Sequence, residues 1–73
     1  MAQKITVKTR FNASKQLLEQ YGPGKYLVYL PFPEDAGAKT VISAMLSRKI
    51  GVPPHRIMFL EIDSRKDWIF ESS

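Results

Sequence analysis

The chain is predicted to be α+β: two layers, with a mainly antiparallel sheet of about four strands packed by one main helix over about residues 36–50. Three observations predict it. One segment carries helix punctuation at both ends, several short runs have the alternation or β-branched and aromatic content of strands, and 73 residues allow one small core and no second domain.

Lys4 to Arg10 alternates with period two, so Ile5, Val7 and Thr9 share one face while Lys4, Thr6, Lys8 and Arg10 share the other. This is a half-buried strand, and its outer row repeats about every 6.5–7 Å, twice the rise per residue. For residues 13–21 a short helix is the first expectation, because Leu17, Leu18 and Tyr21 recur at helical spacing and Asn12 or Ser14 could cap it. A hairpin arm turning at Gly22-Pro23-Gly24 is the alternative. Lys25 to Leu30 is an aromatic and β-branched strand closed by Pro31 and Pro33, which cannot donate to a ladder.

The main helix is the most legible element. Glu34 and Asp35 precede it, Arg48 and Lys49 fall in its last turn, and Gly51 followed by Pro53 and Pro54 ends it, the order that the helix dipole and a left-handed C-cap favour. Val41, Ile42, Met45, Leu46 and Ile50 form its apolar stripe. Arg56 to Ile62 is a strand, Asp63 to Lys66 a turn, and Asp67 to Glu71 a last strand, together a hairpin.

With 44% apolar and 25% charged residues the composition is that of a globular domain, not of a disordered chain. There is no cysteine, so neither a disulfide framework nor a thiolate zinc site is available. No stretch has the length of a signal peptide or membrane span, which sets the expectation of a cytoplasmic, non-membrane protein, and Asn12-Ala13-Ser14 is then an idle glycosylation triplet.

From about Ile5 to Phe70, and most closely from Pro33 to Ile57, the chain resembles the YggU-like family of small domains. Pro33, Asp35, Ala38, the helical stripe, Val52, Pro53 and Ile57 match that family's pattern, and Asn12-Ala13-Ser14-Lys15 and Ser64-Arg65 echo two further motifs. Ala36, Gly37 and Lys39 depart from it, standing where the family carries glycine, lysine or glutamine, and asparagine. The resemblance implies a two-layer α+β fold with a mainly antiparallel sheet and assigns no activity.

Chemistry is thinly represented. Glu34/Asp35 and Glu61/Asp63 read as caps and solubilising charges rather than an acid and a base, and His55 sits in a turn without a metal constellation. Neither Ser14 nor Ser43 stands in a nucleophile elbow. The chain reads as a binding module rather than an enzyme, with no cofactor and no metal.

Gly37, Ala38 and Lys39 at the helix start form a weak candidate anion site, opposed by the Asp35 carboxylate, which would take the same amides. The better candidate is electrostatic. Eleven Lys and Arg against seven Asp and Glu give a net charge of +4, and Lys4, Lys8 and Arg10 on the first strand with Arg65 and Lys66 in the last turn are the candidate nucleic-acid contacts. If both groups share a surface with Tyr26 or Tyr29 between them, RNA binding on a sheet becomes credible; lysines on an outer strand otherwise serve to block aggregation. A second candidate partner is another protein or a second copy of the chain, seated on an apolar sheet face through Tyr29 or Trp68, unless Leu17, Leu18 and Tyr21 cover that face internally.

Overall fold

A computed structural model describes residues 2–35 and 37–73. Among them five strands, β1 (Gln3–Arg10), β2 (Leu17–Gly22), β3 (Lys25–Tyr29), β4 (Ile57–Ile62) and β5 (Trp68–Ser72), form one mixed sheet in the order β2-β3-β1-β5-β4. The helix α1 (Ala38–Ile50) links β3 to β4 across one face, followed by a single 3-10 turn at Pro54–Arg56. The expected α+β class holds, with five strands where about four were expected. Ala36, the expected first helical residue, lies outside the described residues.

The difference comes from residues 13–21, where the expected short helix is replaced by the hairpin arm β2. Leu18 opposes Val28 and Leu17 opposes Tyr29, with a bulge between Gln20 and Gly22. Cross-strand packing overrides a helical spacing carried by three side chains. Asn12 caps no helix; it takes the left-handed conformation (φ 57°), which asparagine tolerates, and its amide donates to the Phe32 carbonyl at 3.0 Å. Pro23 and Gly24 (φ 67°) make the turn into β3. Any Cβ at Gly24 would stand 2.9 Å from the Lys4 carbonyl oxygen, so glycine is required there twice over.

β1 pairs parallel with β3 and antiparallel with β5, while β2–β3 and β4–β5 are antiparallel hairpins. Ile5, Val7, Tyr26, Val28, Leu30, Trp68 and Phe70 point toward α1, meeting Ala38, Ile42 and Leu46 in the core. Phe59 packs at 5.5 Å from Trp68 and 5.4 Å from Phe70, ring centre to ring centre. Val41, Met45 and Ile50 flank the buried row of α1, as the stripe predicts. Gly51 (φ 84°) closes the helix, its amide donating to the Ser47 carbonyl at 2.9 Å, and the Ser47 hydroxyl donates to the Val52 carbonyl at 2.6 Å.

Trp68 therefore belongs to the core, 4% exposed, and is shielded within the monomer. β2 extends the edge of the sheet instead of covering its second face, so the expected internal cover by Leu17, Leu18 and Tyr21 is not made. That face stays open.

Candidate functional site

β1 is the central strand, and its alternation sends Lys4, Thr6, Lys8 and Arg10 to the open face. The register sets Lys25 beside Thr6, Leu27 beside Lys8 and Tyr29 beside Arg10 on one flank. On the other flank Glu71 lies beside Lys4 and Ile69 beside Thr6. Ile69 is buried although no helix crosses it. It shares its depression with Lys4, Lys8, Lys25 and Arg65, whose aliphatic stems cover apolar surface while their charges stay in water.

The turn between β4 and β5 brings the second group of cations to the first. Lys66 donates its amide to the Asp63 carbonyl, and the Asp63 amide donates to the Asp67 carbonyl, both at 2.9 Å. The Asp63 carboxylate accepts from the amides of Arg65 and Asp67, again at 2.9 Å. This closed network holds Lys66 at φ 66°, a left-handed conformation that side-chain-bearing residues other than asparagine and aspartate seldom occupy. The result is a depression of about 300 Å³ lined by Lys8, Thr9, Arg10, Arg65, Lys66 and Asp67.

A second depression of about 320 Å³ shares Lys8, Arg65 and Asp67 with the first and continues past Lys4, Lys25 and Tyr21. Lys4, Lys8, Arg10, Arg65 and Lys66 thus all line one continuous strip of surface. Asp67 is buried between the two depressions, its Oδ1 4.0 Å from the Lys8 Nζ in the one ion pair among the described residues. The remaining cations are free to meet a ligand. Tyr29 is half-buried on this face and Tyr21 is 49% exposed at its border. Tyr26, by contrast, points into the core.

The weaker anion candidate does not assemble. The Gly37 amide donates to the Asp35 carboxylate at 2.8 Å and the Ala38 amide donates to the Asp35 carbonyl at 3.2 Å. Lys39 stands 4.8 Å above the centre of the Phe59 ring, a cation–π contact that turns it away from those amides. Asp35 also falls short of the N-cap position, which Gly37 fills without a side-chain cap. Its carboxylate organises the turn before the helix instead.

Lys25, Tyr21 and Asp67 were not legible as site residues. Tyr21 reaches the face because residues 17–22 are a strand, Lys25 because β3 pairs with β1, and the position of Asp67 depends on the geometry of the last turn. Among the described residues no three of His, Cys, Asp or Glu could together hold a metal ion, and no helix is long and apolar enough to cross a membrane. Compared with protein-family models, curated proteins and solved structures, the chain matches none.

Proposed function

We propose that this domain binds single-stranded nucleic acid, RNA in the first instance, along the open face of its sheet. The observation that carries the reading is the convergence of Lys4, Lys8 and Arg10 with Arg65 and Lys66 around two adjoining depressions. Cations spaced along a strand suit a string of phosphates better than one compact anion, and Tyr29 and Tyr21 offer rings on which bases can stack. The structural kinship with YggU-like domains is part of the same proposal, supported by Pro33, Asp35, Ala38, Val52, Pro53 and Ile57.

Titration of a labelled single-stranded RNA at several salt concentrations tests the reading. Neutralisation of three or four phosphates predicts a slope of roughly −2 to −3 in log affinity against log salt. The double variant Lys8→Glu/Arg10→Glu should weaken binding at least tenfold and flatten that slope. Absence of binding at low salt would sink the proposal.

A further inference from the structure

The edge strand β4 carries three apolar side chains that the monomer leaves largely uncovered. Met58 is 62% exposed, Leu60 47% and Ile62 43%, and with Tyr21 they are the large exposed hydrophobics among the described residues. The register puts Met58 on the open face, opposite Glu71, and Ile62 on the helix side, opposite Trp68, so β4 exposes apolar side chains on both sides of its edge. The strand contains neither lysine nor proline, the residues that usually blunt a sheet edge, and its single charge is Glu61. A bulge between Phe59 and Glu61 leaves Leu60 without a partner on β5. The opposite edge is better protected, since Leu17 and Leu18 are half-buried and Glu19 and Gln20 face water.

We propose that β4 is the contact surface for a second copy of this chain, the two β4 strands lying antiparallel about a two-fold axis. Charge complementarity along the strand selects this occupant. Exposed Arg56 stands at its start and exposed Glu61 near its end, and neither is in an ion pair among the described residues. Antiparallel apposition brings Arg56 of each copy to Glu61 of the other, with Met58 and Leu60 packed between these two contacts. A two-fold contact of this kind is self-complementary and closed, so it stops at the dimer. Because β5 lies between β4 and β1, Lys4, Lys8 and Arg10 of each copy stay open.

Sedimentation equilibrium of the purified chain, free of nucleic acid, tests the proposal. The expected mass is twice the 8.3 kDa of one chain. Leu60→Lys should be monomeric with an unchanged circular dichroism spectrum, since an exposed side chain is replaced. Arg56→Glu and Glu61→Arg should each weaken self-association at least tenfold, and an equimolar mixture of the two variants should form the mixed dimer, in which one ion pair is native and the other is restored with its charges exchanged. A wild-type monomer at millimolar concentration, a dimer that survives Leu60→Lys, or variants that fail to associate when mixed would overturn it.

Discussion

Lys66 shows most directly how single residues are held at this surface. A lysine at φ 66° occupies a conformation that costs about 1–2 kcal/mol for a residue with a Cβ, and glycine would hold it without that cost. The strain is fixed by the Asp63 network and places the Lys66 side chain on the first depression. Lys66→Gly is therefore expected to raise stability by about 1 kcal/mol in urea denaturation while weakening RNA binding severalfold. A variant that loses both stability and binding would show that the lysine serves the turn itself. Asp63→Ala should act in the opposite sense on the fold, since it removes the acceptor of two amides and frees the turn from its register.

Among the elements, α1 carries the largest share of the core. Ala38, Ile42 and Leu46 are fully buried at successive i+4 positions, so the helix contacts the sheet along a narrow line with Val41 and Met45 beside it. Leu46→Ala should cost about 2–5 kcal/mol, read as a lower denaturation midpoint. Native domains are stable by only about 5–15 kcal/mol, so this one substitution consumes a large fraction. The helix was legible because its ends are chemically marked: Gly51 needs its positive φ, and Asp35 turns the chain before it. The strand at residues 17–22 was not, because Leu17, Leu18 and Tyr21 satisfy a helical spacing as well as an edge-strand pattern, and only the Val28 and Tyr29 partners decide between them. The cations of β1 and of the last turn could be named from the sequence, whereas their meeting depends on a non-local pairing, β1 with β5, that no short window contains.

At the scale of the whole molecule, the sheet separates two tasks. One face is the core against α1, and the other is a charged surface resting on Leu27 and Ile69 beneath lysine and arginine stems. Variants on the charged face should accordingly leave stability nearly intact: Lys4→Gln and Arg10→Gln are each expected to shift unfolding by no more than about 0.5 kcal/mol while reducing RNA affinity. Trp68 provides the converse control. It lies on the core side, so its fluorescence should resist aqueous quenchers and stay unaltered when RNA binds, and an RNA-induced quench would place the ligand elsewhere.

The central place of β1 bears on how the chain is made. This strand is made before the other four, yet one of its two neighbours is β5, which is made after them all. Until then Ile5 and Val7 have company only on the β3 side, and a nascent polypeptide halted before Trp68 would carry a raw seam through the middle of its future sheet. The sheet thus closes only once β5 is available, and a chain cut short at the turn between β4 and β5 should yield aggregates rather than a smaller working domain.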